Sequence, residues 1–183
     1  MRIPLTPEDA YSPAQQTMAT AVSSGPRGAV SGPMLALLEH PAIGGPVQAV
    51  GAALRFGGVL PGRLRELSIL VTARRASAQY EWHAHAPIAL REGLSPAIVS
   101  AIQAGERPAA MADDERLVYD ATLAMQQSYD LPDALLAEVQ RTLGAQGLIE
   151  LIALCGYYTL ISQLLNVTGV EVPGGDRPLS PLR

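Results

Sequence analysis

A chain of 183 residues, 48% of them apolar and carrying a formal charge of −4, has the length of one domain and enough apolar side chains to bury a core. The mild acidity, with no basic run, excludes a nucleic-acid surface. Every basic residue but the histidines is an arginine, and the single cysteine is Cys155. These facts exclude a side-chain Schiff base, the lysine anchor of pyridoxal phosphate, and any intrachain disulfide or dithiol cycle.

Residues 1–32 are rich in proline, serine and glycine and read as an N-terminal arm. Within it a helix is predicted over 7–22, capped by Thr6 with Pro7 at its first position, followed by a Ser-Gly-Pro loop. Two short helices follow over 33–39 and 46–56, separated by His40-Pro41 and Gly44-Gly45. Pro61 opens a clearer helix, whose Leu64, Leu67, Ile69, Leu70, Val71 and Ala73 form a wide apolar face flanked by Arg63, Arg65, Arg74 and Arg75. The next spans 79–91, with Gly93 as its C-terminal stop. Ser95-Pro96 starts another, through Ile102 to near Gly105. Asp113 or Asp114 begins a helix carrying Leu117, Val118, Ala121, Leu123 and Met125. Leu131-Pro132-Asp133 turns into a helix over 134–143, and a long one spans 147–167.

That last helix is apolar nearly all round, which predicts burial at the centre of the bundle or at a subunit contact. Glu150, Gly156, Ser162 and Gln163 interrupt it and argue against a membrane span. Residues 174–183 read as a tail. No segment alternates with the period of a strand, so the expected fold is all-α with about seven to nine helices. The first residues lack the basic-then-apolar order of a signal peptide, so a cytoplasmic location is expected. Arg65-Glu66-Leu67-Ser68-Ile69-Leu70 is faintly echoed by Ile149-Glu150-Leu151-Ile152-Ala153-Leu154; each places a carboxylate inside an apolar helix.

The usable acid–base chemistry is concentrated in Gln79-Tyr80-Glu81-Trp82-His83-Ala84-His85, which holds two of the three histidines and the one tryptophan. On a helix Glu81 and His85 project about 40° apart and can interact along one face. A carboxylate that fixes an imidazole tautomer is the core of a general acid/base site; the same spacing also makes an ordinary surface ion pair. His83 points about 200° from His85, so the pair is no metal clamp, and no third or fourth ligand converges on Glu81 and His85. Neither a metal nor an organic cofactor is expected. Tyr80, Trp82 and one of Tyr157 or Tyr158 are candidate pocket walls. Arg74 and Arg75 are either carboxylate binders or a solvated helix end.

Three blocks in order, Arg63-Leu64-Arg65-Glu66-Leu67, then Tyr80-Glu81-Trp82 with His85 and Ala89, then Glu150-Leu151-Ile152-Ala153-Leu154-Cys155-Gly156-Tyr157-Tyr158, resemble the carboxymuconolactone decarboxylase family over roughly residues 33–173. The resemblance implies the all-helical fold shared with alkyl-hydroperoxidase D proteins. The peroxidase branch of that fold uses a glutamate, a Cys-x-x-Cys pair and a histidine four residues further on. Its spacing places the glutamate on Glu66, the cysteines on Ala78 and Glu81, and the histidine on His85. With both thiols absent, disulfide-based peroxide reduction is excluded. What remains is a thiol-free site of Glu66, Glu81 and His85 as catalytic residues, with Tyr80, Trp82 and Tyr157 binding substrate and Glu150 nearby.

The resemblance therefore implies a cofactor-free lyase acting on a small carboxylated lactone or cyclic acid from aromatic catabolism. In it His85 delivers a proton while Glu81 sets its tautomer. Isomerisation or hydration at the same site is an alternative, as is a non-enzymatic oligomeric helical module in which the Glu–His pair is structural. A peroxidase restored by an outside thiol would require Cys155 to be exposed. By resemblance the assembly is a homotrimer or homohexamer, its partner a small molecule rather than nucleic acid or membrane.

Overall fold

The computed structural model describes residues 1–181. Among them are eight helices and no strand: α1 (Pro13–Ser24), α2 (Pro33–Leu37), α3 (Pro41–Phe56), α4 (Gly62–Arg75), α5 (Gln79–Arg91), α6 (Pro96–Ala104), α7 (Asp113–Ser128) and α8 (Asp133–Thr168). The all-α expectation holds. α8 is interrupted at Gly144, whose φ of 68° and ψ of 177° lie outside the helical region, so the two helices expected over 134–143 and 147–167 meet end to end.

α4 is the central element, packed by α5, α6, α7 and α8. From Glu66 to Arg74 every one of its residues is buried. Its apolar side chains meet the core, while its small polar ones meet each other. Thr122 Oγ1 donates to Ser68 Oγ at 3.1 Å, Ser68 Oγ lies 3.7 Å from Cys155 Sγ, and Gln126 Nε2 reaches Thr72 Oγ1, Thr159 Oγ1 and the Cys155 carbonyl. This network ties α4, α7 and α8 together with its polar groups satisfied, as burial demands.

α8 is not buried all round. Leu151, Leu154, Tyr158, Ile161 and Leu165 enter the core, while Ile149, Ile152, Leu160 and Val167 stand exposed on the opposite side. Long and apolar enough by composition to cross a membrane, it is built here into the bundle on one face.

Two local expectations are corrected. The first helix begins at Pro13 rather than Pro7, because Ser12 forms a complete capping box with Gln15, leaving Pro7 before a short 3-10 turn at Glu8–Ala10. α3 runs unbroken through Gly44-Gly45 and Pro46, starting at Pro41. Gly44 is there for packing: a Cβ on it would collide with the Leu37 carbonyl and Met18.

The α4–α5 connection fixes the site. Ser77 takes a left-handed φ of 50°; its N–H donates to Arg74 O and that of Ala78 to Ala73 O. This is a Schellman closure with serine where glycine is usual. Only three residues separate the helices, so α5 folds straight back along α4.

Glu150, expected near the catalytic cluster, lies elsewhere. Its Oε2 accepts from the Val59 and Leu60 N–H groups at 2.5 and 3.2 Å, holding the α3–α4 connection. Glu150→Ala would leave these donors without their acceptor. It should lower stability by about 1–3 kcal/mol, read as a lower urea midpoint with an unchanged m-value.

Candidate active site

Glu66 on α4 and His85 on α5 face each other across the inter-helix seam, 1% and 4% exposed. The His85 Nδ1 lies 2.7 Å from Glu66 Oε2, and the Nε2 lies 3.4 Å from Glu81 Oε2. The three groups form a buried chain in which the imidazole is bracketed by two carboxyl groups. Arg65 Nε approaches the other Glu66 oxygen at 3.5 Å. The shorter contact decides the tautomer: Glu66, as a carboxylate acceptor, holds the proton on Nδ1 and leaves Nε2 turned toward Glu81. The sequence-based assignment of that role to Glu81 is therefore corrected. Glu81 stands on the cavity side of the imidazole.

The cavity has a volume of about 140 Å³, and its walls include Glu81, His85, Tyr80, Tyr157, Tyr158 and Met34. It compares with the roughly 150 Å³ that accommodates one benzene ring. Tyr158 packs edge-on to His85 with ring centroids 5.1 Å apart, and Tyr157 edge-on to Tyr158 at 5.2 Å. Where one of Tyr157 and Tyr158 was expected, both line the same wall. Trp82 does not: it is buried in the core and is absent from the walls. This placement follows from its register one residue from Glu81, about 100° round the helix. His83 is half-buried and outside the cavity, and His40 precedes α3 on the surface.

Burial pushes the Glu81 carboxyl above the usual carboxylate range; His85, Arg55 and Arg27 oppose the shift and Glu66 adds to it. Burial likewise raises Tyr157, which Arg27 partly offsets, and Tyr158 far more strongly. Both phenols are therefore O–H donors at neutral pH. Cys155 is buried, and its thiol is raised by burial, which removes the exposed, reactive cysteine that a thiol-assisted peroxidase requires.

Two arginines in the cavity wall were not anticipated: Arg27 from the loop after α1 and Arg55 from α3. Arg74, suggested by sequence, instead donates to the Ser180 carbonyl at 2.9 Å and holds the C-terminal segment, while Arg75 is exposed. Nothing in a single arginine between Pro26 and Gly28 announces a site. The one available signal was the pair of glycines that make room for the loop. A Cβ at Gly32, which has a φ of 56°, would overlap the Tyr80 ring, and one at Gly51 would overlap the Tyr157 hydroxyl and Arg27. The arm therefore supplies part of the cavity, and Met18 and Val22 of α1 join the single core.

Residues 41–126 match the model of the carboxymuconolactone decarboxylase family. No curated protein matches the sequence. Two solved structures share the fold. One is the alkylhydroperoxidase AhpD core of an uncharacterized peroxidase-related protein from Ralstonia eutropha JMP134, with a TM-score of 0.78 and 18% identity, covering 93% of this chain and 91% of that one. The other is an uncharacterized peroxidase-related protein from Silicibacter sp. TM1040, with a TM-score of 0.70 and 16% identity, covering 92% and 90%.

Two measurements test this electrostatic description. Because the Glu81 pKa is raised in the folded protein, the native state binds more protons than the unfolded one above the ordinary value of 4.5. Stability should then fall as pH rises through the folded pKa. Glu81→Gln should flatten that dependence, so urea midpoints of the variant should improve relative to wild type from acid to neutral pH; a pH-independent difference would contradict it. Iodoacetamide should leave Cys155 unmodified in the native protein and label it once the chain is unfolded, by intact-mass measurement.

Proposed function

We propose that this chain, a member of the carboxymuconolactone decarboxylase family with an alkyl-hydroperoxidase D-like fold and no Cys-x-x-Cys pair, is a cofactor-free lyase acting on a small carboxylated lactone or cyclic acid. The observation that carries this reading is the buried Glu66–His85–Glu81 chain opening onto a cavity of one-ring size. Glu81 stands where the peroxidase spacing calls for the second cysteine, so a proton carrier replaces a thiol in the same relay.

The chemistry needs little else. In a carboxylated butenolide the bond to the departing carboxylate breaks, and its electron pair passes through the ring double bond to the lactone carbonyl oxygen. The resulting dienolate is stabilised by a neutral O–H donor, a role open to Tyr157 or Tyr158. A proton carried by the neighbouring Glu81 and His85 Nε2, 3.4 Å apart, is delivered to carbon, and solvent restores it afterwards. Glu66 keeps the imidazole oriented throughout. The burial of Glu66, Glu81 and His85 makes the interactions among them stronger than in solution. The exposed Ile149, Ile152, Leu160 and Val167 on α8 are the surface on which we place the contact of a homotrimer or homohexamer.

Turnover of 4-carboxymuconolactone, followed by ultraviolet absorbance and carbon dioxide release, tests the reading. His85→Ala and His85→Gln should each lower kcat by about 10²–10⁴, with circular dichroism showing the fold retained. Turnover indifferent to both variants would remove His85 from the chemistry. Absence of turnover in the wild type would exclude this substrate and favour an isomerase or a non-enzymatic helical module.

A further inference from the structure

The guanidinium groups that close the cavity from the arm side touch Glu81 and Tyr157 only through charge and packing and are left with hydrogen-bonding capacity to spare. Arg27 has its Nε and Nη2 buried without a hydrogen-bond partner. Neither Arg27 nor Arg55 forms an ion pair among the described residues: the carboxylates of the cavity bracket His85 instead. Arg55 lies over the Phe56 ring, 5.2 Å from its centroid, and Arg27 is wedged against the Tyr157 hydroxyl beside Gly51. Orphaned buried donors on a guanidinium are costly, so a fold that keeps them needs a reason. The cavity wall carries two guanidinium groups, Arg27 and Arg55, against one carboxyl group, Glu81, which burial biases toward its neutral form. The cavity is short of negative charge.

We infer that Arg27, with Arg55 and the Tyr157 hydroxyl, is the binding site for a carboxylate on a single-ring ligand, and that this carboxylate survives the reaction. The fork of Arg27 matches a planar carboxylate through Nε and Nη2, the two atoms that lack partners. Gly51 keeps the approach clear, since any side chain there would displace both Arg27 and Tyr157.

The second half of the inference follows from charge. Decarboxylation moves negative charge off the departing carboxylate, so a guanidinium on that group would stabilise the starting state and slow the reaction. An arginine-held carboxylate is therefore a handle and not the leaving group. On the lyase reading above, on which this part rests, 4-carboxymuconolactone already carries two carboxylates, and what the geometry adds is the residue for each: Arg27 holds the one the reaction keeps, and the other leaves from the ring near His85.

Benzoate and its neutral isostere benzamide, titrated calorimetrically into the full-length protein, test the binding site without requiring turnover. Benzoate should bind at least about tenfold more tightly than benzamide, and Arg27→Gln should abolish that preference while leaving benzamide unchanged. Arg27→Lys should recover only part of it, because an ammonium lacks the planar fork. Arg55→Gln serves as the second variant should Arg27→Gln fold poorly, with the same direction of effect. In the ligand-free protein Arg27→Gln should leave Tm unchanged or higher. A structural counter-charge to Glu81 would instead give a drop in Tm that grows with pH. Equal binding of the two ligands, no binding of benzoate, or benzoate affinity unaffected in both variants would overturn the proposal. His85→Gln should still bind benzoate, so loss of turnover and loss of the carboxylate site are read separately.

Discussion

The Glu66–His85 hydrogen bond is the constraint around which the rest of the molecule is arranged. A carboxylate in the middle of the most buried helix is tolerable only with a partner inside the protein, and His85 supplies it at 2.7 Å. Meeting that demand fixes the rotation of α5 about its own axis and its height along α4. The abrupt Ser77 closure then leaves no slack between the two helices. With α5 so fixed, Glu81 one turn back lands on the cavity side and Trp82 on the core side. Deleting either member leaves a buried hydrogen-bonding group without its partner, at a cost of about 1–3 kcal/mol. Stability and chemistry thus draw on the same contact.

Around that contact the bundle is divided by polarity. The seam between α4, α7 and α8 is sewn by Ser68, Thr122, Gln126 and Cys155, a closed network with little left to offer a ligand. The opposite end, between α5, α3 and the arm loop, is left open and electrically unbalanced. The same asymmetry separates the two inner glutamates of the sequence echo: Glu66 faces a histidine and a cavity, whereas Glu150 caps a loop.

The fold and the central pair of the site were legible because they rest on local patterns. The apolar period of α4, the spacing of Glu66, Glu81 and His85, and the missing Cys-x-x-Cys all lie within short stretches of chain. What escaped was decided by contacts distant in sequence. Which carboxylate holds Nδ1 depends on α4 and α5 packing side by side, and spacing along α5 alone favoured Glu81. Trp82 and Tyr80 are indistinguishable as pocket walls until the helix face is known. Arg27 was invisible because its loop meets α3 and α8 only in three dimensions, whereas Arg74 looked available until the chain near Ser180 returned to cover it. The first helix, expected from Thr6-Pro7, starts instead at Pro13, where the Ser12–Gln15 reciprocal cap satisfies the helix end.

The placement of Trp82 gives the protein an optical property. It is the one indole in the chain, sealed in the core at 2% exposure, three positions before the histidine that faces the cavity. Its emission therefore comes from a single, dry environment on the helix that carries the chemistry, uncontaminated by surface indoles. Any event that lifts α5 from the bundle admits water to that ring and shifts its emission to longer wavelength, while filling the cavity, of which the ring is no wall, leaves it dry. Native fluorescence thus separates opening of the helix from occupancy of the site, without a label and in a single emission band.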